Sequence, residues 1–462
     1  MNTLIDPILR KVFQKETFLD EKWLANLKKW NDWYRNDAPF HTKMVWNGDA
    51  YQSYKMCRTG IVKLICSTKA DLMMNEKVTI TVSDKYKKEF DEMLEDNNFW
   101  IRMNQAVELS QAFGYYGVII DKDMDEKIVL NYISATGIYP ITAVNGEITE
   151  CVFMTSVHRS NHEVLRLEGH FLEEGNYVIR NAYVKREAYG KLTVMDVEGF
   201  GQEPEIRTNS PTRRFAILSP NAVNNIDPDI SLGIPCFANS IYDIRAADSA
   251  YDSYQNEFIL GRKRLIYSAE AAKPSHDGEL VPNFDPTEIG YMRVDMRNPD
   301  KPFIEELNME IRAEEHRTGL NDILNMISVK CGLGLGYFSF EGKEGFKTAT
   351  EVVSEKSELF RSIKKDEIQI DKVIRIIVEA IFELKGWIFN NEELTIIFDD
   401  SIIEDKAALQ ARAFQEVVQG IRTPESYYKL IYGYSDEDIA ETIPENYGQS
   451  IVEQLGLNRY TE

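Results

Sequence analysis

The stretch from Thr348 to Lys385 constrains the chain more than any other. It contains neither glycine nor proline, and Gly386 follows it directly. Leu359, Ile363, Ile370, Ile374, Ile377, Ile381 and Leu384 recur along it at helical spacing. Thr348 and Glu351 form a capping box, in which hydroxyl and carboxylate satisfy the orphan amides of a helix start. At ~1.5 Å per residue such a helix approaches ~57 Å, longer than a small domain is wide. A helix of that length ties distant parts of an assembly together.

The rest of the chain must supply what it ties. With 462 residues there is material for roughly three domains. At 43% hydrophobic and 28% charged residues the composition is globular, which disfavours disorder and fibrous repeats. The formal charge of −22 excludes tight nucleic-acid binding through a general basic surface, because such binding needs Lys and Arg to neutralise phosphates. Handling DNA without gripping it stays open. No apolar run reaches ~18 residues, so no membrane span is expected. The N-terminal MNTLIDPILRKVFQKETFLDEKW has no apolar core of signal-peptide length. Cys57, Cys66, Cys151, Cys236 and Cys331 form no CxxC pair, and their number is odd. Buried free thiols in a reducing compartment are expected.

Residues 1–110 read as mostly helical, from Trp23, Leu27 and Trp30 and from Ile61, Leu64, Ile65, Thr68 and Leu72. From 117 to 220 short strands take over, with GVIID and KIVLNYI flanking the acidic turn Asp121–Asp125 as a hairpin. ITECVFM, HEVLRLEGHF, NYVIRNAYV and LTVMDV are further strands, and 199–213 reads as a loop. Phe237, Ile241, Ile244, Tyr251, Tyr254 and Phe258 mark a helix ending near Gly261. Arg262, Lys263 and Arg264 follow, where the helix dipole favours cations. A second helix spans about 310–330, with Leu320, Ile323, Leu324 and Ile327 on one face. The two helices bracket a small strand-rich insertion at 265–305, and LTIIF adds a strand before a polar helical tail from about Asp405. The fold class is therefore α+β.

Catalytic chemistry finds little support. Gly332, Gly334 and Gly336 follow a helix instead of a strand and make no G-x-G-x-x-G. Gly342-Lys343 comes one residue too late for a phosphate loop, and Glu344 stands where Ser or Thr must hold magnesium. Asp121, Asp123 and Asp125 copy the start of a calcium loop, but Glu126 and Tyr132 occupy its Gly and Glu positions. His158, His162 and His170 lack cysteine partners and read as surface histidines. The 23 Tyr and 22 Phe could stack on bases, but stacking sites need a positive groove, so core and subunit-interface packing is the better reading. No catalytic constellation, metal site or cofactor is expected.

Five segments, in order, resemble the portal proteins of tailed bacteriophages, particularly those of phages infecting Gram-positive hosts. They are WNDWYRND with Met56–Glu76; Gly114–Ile141, with its Tyr139-Pro140; Leu232–Tyr267; CGLGLGYFSFEGKEGFKTATEV, with Lys347-Thr-Ala-Thr-Glu-Val; and Phe398–Lys406.

The resemblance implies a portal fold: a mainly helical wing and crown, a β-rich wing portion, a two-helix stem and a small α/β clip. Wing would be 1–234, β-rich at 117–220. The stem helices would be 235–262 and 306–331, the clip 263–305, and the tunnel loop 332–347. The long wing helix and its strand would be 348–404, and the crown 405–462. In the tunnel loop Glu341, Gly342, Lys343, Glu344 and Lys347 would face the channel, with the Thr348/Glu351 cap behind them and Arg262, Lys263 and Arg264 at the stem–clip junction. The family further implies a homo-oligomeric ring, usually of twelve subunits, at one capsid vertex of the virion, assembled in the host cytoplasm. Its partners would be the terminase large subunit, the head-tail connector, and the major capsid and scaffolding proteins. Double-stranded DNA would pass through without sequence specificity, and no membrane is involved. Another acidic virion component, a minor head or connector protein, is the alternative; an enzyme assembled from scattered carboxylates is a third reading.

Overall fold

A computed structural model describes residues 5–46, 50–74, 78–123, 125–159, 162–186, 192–195, 203–261, 264–268, 273–274, 280–281, 291–294, 304–307, 310–339, 349–398, 406–419 and 421–432. The chain divides into two units, 1–398 and 399–462.

Asp6–Phe13 (α1) and Glu21–Tyr34 (α2) open the first unit. Asp20 caps α2 by accepting from the Trp23 amide at 2.7 Å. Trp23, Leu27, Trp30 and Trp33 then bury one face of it. The next segment departs from the helical expectation: Thr42–Trp46 (β1) and Tyr51–Lys55 (β2) pair antiparallel, from Thr42↔Lys55 to Trp46↔Tyr51. Helical periodicity elsewhere in 1–110 concealed it, although Asn47-Gly48 between two β-prone runs is a hairpin signal. Helix resumes with Ile61–Met73 (α3). After Thr79–Thr81 (β3) come Asp84–Asp96 (α4) and Phe99–Phe113 (α5).

α5 ends at Gly114, whose φ of +86° belongs to the left-handed region. A Cβ there would lie 2.3 Å from the Gly233 carbonyl oxygen, so two distant segments meet backbone to backbone. Tyr116–Lys122 (β4) and Ile128–Ile133 (β5) form the expected hairpin around the acidic turn. Ile138–Val144 (β6), Glu147–Arg159 (β7), His162–Glu173 (β8), Asn176–Arg186 (β9) and Leu192–Met195 (β10) lie in the order β10-β9-β8-β7-β6. Glu205–Arg207 (β11) pairs with β9 inside the segment read as a loop. Three residues are too few to show periodicity. Phe215–Leu218 (β12) joins β4 on the side opposite β5.

The amphipathic α1 lays Ile8, Leu9 and Phe13 on this larger sheet, against Val152, Leu165, Leu167, Phe171 and Val184. The first helix thus serves the β-rich core, an arrangement that strand and helix patterns do not encode separately.

Ile241–Leu260 (α6) is the expected helix after Pro235. Arg264–Ser268 (β13), Lys273–Pro274 (β14), Leu280–Val281 (β15), Tyr291–Val294 (β16) and Ile304–Leu307 (β17) follow. β13 lies between β16, parallel, and β17, antiparallel. Ala313–Lys330 (α7) precedes the 37-residue Ala349–Lys385 (α8), which packs against β12, β4 and α3. Thr395–Ile397 (β18) returns to pair with β3. In the second unit Lys406–Val418 (α9) and Pro424–Tyr432 (α10) pack through Phe414 and Tyr427, with ring centroids 6.3 Å apart. The whole is α+β.

Candidate functional site

α6 and α7 form an antiparallel pair, fastened at both ends. At one end the C-terminal Lys330 of α7 donates to Asp243 near the start of α6 at 2.6 Å, and Ser240 meets Cys331 Sγ at 3.6 Å. At the other end Glu257, one turn before the end of α6, accepts from Arg312 Nε at 2.9 Å and pairs with His316. Tyr254 stacks on His316 with centroids 5.3 Å apart. The Arg312 hydrogen bond is the largest influence on Glu257 and holds its carboxyl down at about 2. Each clamp sets a cation of one helix against a carboxylate of the other, which fixes both register and direction.

The middle of α6 is tied to the chain before α3. Asp248 accepts from the Thr59 amide at 2.8 Å and hydroxyl at 2.7 Å, and lies 2.8 Å from His41 Nε2. One turn on, Asp252 accepts from the Cys57 amide at 2.8 Å and the Tyr54 hydroxyl at 2.6 Å. Both aspartates are buried. Charged residues at i, i+4 within an apolar helix were the available sequence signal, since buried carboxylates require donors.

After α7 the chain turns through Gly332, Gly334 and Gly336, with φ of +74°, +82° and +78°. At Gly332 a Cβ would lie 2.5 Å from Ser362 Oγ of α8, so this turn is seated on the long helix. Leu335 and Tyr337 are exposed. The glycines follow a helix, as the sequence indicates.

Behind the turn, α8 is anchored by one carboxylate. Asp366 accepts from Lys69 Nζ of α3 at 3.2 Å, Gln111 Nε2 of α5 at 3.1 Å and the Asn221 amide at 2.8 Å. A cavity of about 180 Å³ adjoins it, lined by Lys69, Gln111, Cys236, Cys331 and Asp366 among others. Burial works against the Lys69 charge, but Asp366 outweighs it and holds the ammonium above its usual range. Cys66 and Cys236 stand 4.0 Å apart beside it. Burial raises the Cys66 thiol, whereas the Cys66 hydrogen bond, with Lys69 nearby, lowers Cys236. All five cysteines are free; Cys57 is exposed, contrary to expectation.

Most residues singled out from the sequence lie outside the described residues: Glu341, Gly342, Lys343, Glu344, Lys347, Thr348, Arg262 and Lys263. Glu351 falls in the first turn of α8, and Arg264 opens β13 opposite Leu307, for both of which only the backbone is described. In the chain, the glycine turn after α7 precedes residues 340–348 and α8 follows them. His170 corrects its sequence reading: it is fully buried, 2.9 Å from Glu168 and ringed by Phe153 and Phe215, as β8 points it into the core. Among the described residues no His, Cys, Asp and Glu cluster could hold a metal, and no helix is long and apolar enough to cross a membrane.

No curated protein matches the sequence. Two solved structures are similar at 10% identity. The neck of a native gene transfer agent particle, computed with C12 symmetry, gives a TM-score of 0.42 over 93% of this chain and 98% of that one. The virion of a native gene transfer agent particle gives 0.39 over 81% and 89%. The family assignment rests on sequence. The profile described as phage portal protein, SPP1 Gp6-like, matches residues 19–446, nearly the whole chain, and the protein therefore belongs to that family of phage portal proteins.

Proposed function

We propose that copies of this portal protein, twelve in the virion, close a ring through whose channel double-stranded DNA enters the capsid and later leaves. The paired α6 and α7 are the stem, the strands between them the clip, the segment after Cys331 the tunnel loop, and α8 the wing helix behind it. The second unit is the crown. The observation that carries this reading is the stem pair. Two antiparallel helices, clamped at both ends, join the exposed glycine turn beside α8 to the small sheet. Such a strut can hold a docking module away from the body while keeping its register.

Charge supports the same reading. Each neutralised phosphate adds affinity that would retard a sliding duplex, and a chain of charge −22 offers few such contacts. Lys343 and Lys347 supply weak, transient ones. The clip meets the terminase motor during packaging and the head-tail connector afterwards; the protein hydrolyses nothing itself, and acts in the virion after assembly in the host cytoplasm.

Packaged DNA length and ejection in phage carrying Lys343→Gln with Lys347→Gln test the loop. Altered length or ejection is expected. Unchanged values would remove those contacts from the account.

A further inference from the structure

The β1–β2 hairpin projects from the chain without a core of its own. Its burial pattern is exposed at every position except Tyr54. Met44 is 62% exposed, Trp46 55% and Tyr51 66%, while Trp46 and Tyr51 face each other across the strands with centroids 5.1 Å apart. Two strands alone are marginal in water. This hairpin is nevertheless held at its base: the Met56 amide donates to the His41 carbonyl, and Tyr54 and Cys57 donate to Asp252 of α6. It is a pre-set arm with an aromatic tip, ready to be covered without ordering cost.

On different elements of the same unit lies an apolar groove of about 690 Å³, lined by Met74, Val78, Ile80, Trp100 and Ile101. Ile101 is 63% exposed. Asp71 and Asp91 rim it, and Lys87 pairs with Asp91 at 3.3 Å, which leaves the rim one net negative charge. The arm carries the exposed cations Lys43 and Lys55.

We infer that the arm of one copy docks into this groove on the next copy around the ring, an inference that rests on the ring reading above. A head-to-tail contact needs two different complementary patches on each subunit. Among the described residues each chain pairs this arm with this groove of opposite charge, so a closed ring uses every such arm and fills every such groove. A different protein would not have to match that one-to-one count. With Trp46 55% and Tyr51 66% exposed, covering both removes roughly 180–300 Å² from water. That is about a quarter to a third of one partner's share, roughly 800 Å², of a standard interface. The arm is thus a main anchor of a larger contact, and its tip is a hot spot of the aromatic kind.

The test uses the full-length chain and native mass spectrometry across a concentration series. Trp46→Asp should require at least about tenfold higher concentration to form rings. Trp46→Phe should behave as wild type, and as monomers, below the ring-forming concentration, both should keep the wild-type melting temperature. In a Cys57→Ser background, Tyr51→Cys combined with Ile101→Cys should give a ladder of dimers and higher species with a short bismaleimide, and neither single variant should. Rings formed by Trp46→Asp at wild-type concentration, or no ladder from the double variant in intact rings, would overturn the arm while leaving the ring reading in place. A wild-type chain that never forms rings would overturn both.

Discussion

Lys69 and Asp366, 297 residues apart in the chain, meet at 3.2 Å with side chains only 6% and 8% exposed. This contact fixes α3 to α8 at the point where Gln111 and the Asn221 amide also converge. One carboxylate therefore locates the long helix, and with it the Gly332 turn seated on that helix. Lys69→Met leaves that carboxylate buried without its cation and should cost about 3–5 kcal/mol. Lys69→Met with Asp366→Leu should recover part of the loss. Urea unfolding of wild type and the two variants decides; a single variant as stable as wild type would mean the pair is replaced by solvent.

The base of the hairpin depends on Asp248. Asp248→Ala removes the acceptor shared by His41, the Thr59 amide and the Thr59 hydroxyl, all at 2.7–2.8 Å. Leaving such donors unpaired should cost about 1–3 kcal/mol. Hydrogen exchange should rise at residues 41–60 before it rises in the β-rich core. Uniform change across the first unit would speak against a local anchor.

The glycine turn separates two effects. Gly332→Ala meets both a left-handed φ and a Cβ position 2.5 Å from Ser362 Oγ. Gly336 has a similar φ but open space around it. Gly336→Ala should cost about 1–2 kcal/mol from backbone strain alone, and Gly332→Ala more. Thermal melts of both variants compare them directly, and equal losses would contradict the seating of the turn on α8.

The core of the sheet carries a pH dependence. Burial pushes the Glu168 carboxyl upward, but the His170 hydrogen bond and Arg166 outweigh it and leave it below the usual carboxylate range. A depressed folded value contributes stability above the unfolded value of about 4.3. That contribution is lost as pH falls through the depressed folded value. Melting temperature between pH 7 and pH 3 should therefore drop less steeply in Glu168→Gln than in wild type. Parallel curves would contradict the linkage.

Much of this architecture is legible in the sequence because its elements are long and locally consistent. α8 has a long apolar stripe and a glycine stop, and β4–β5 has two β-prone runs around an acidic turn. Two helices bracketing short strands are likewise readable from periodicity. What could not be read is where isolated polar residues go. Lys69 sits in the apolar stripe of α3 and Asp366 in that of α8, and only tertiary structure shows that each is the other's partner. His170 reads as a surface residue until strand register turns it inward onto Phe153 and Phe215. The hairpin was hidden for the opposite reason, since a two-stranded arm buries too little to impose a pattern.

The central claim is a closed, channelled ring. Native mass spectrometry with negative-stain images of the purified 53.3 kDa chain tests it most directly. The expected result is a closed ring near twelve copies with a central channel. A compact dimer or tetramer without a channel would contradict it.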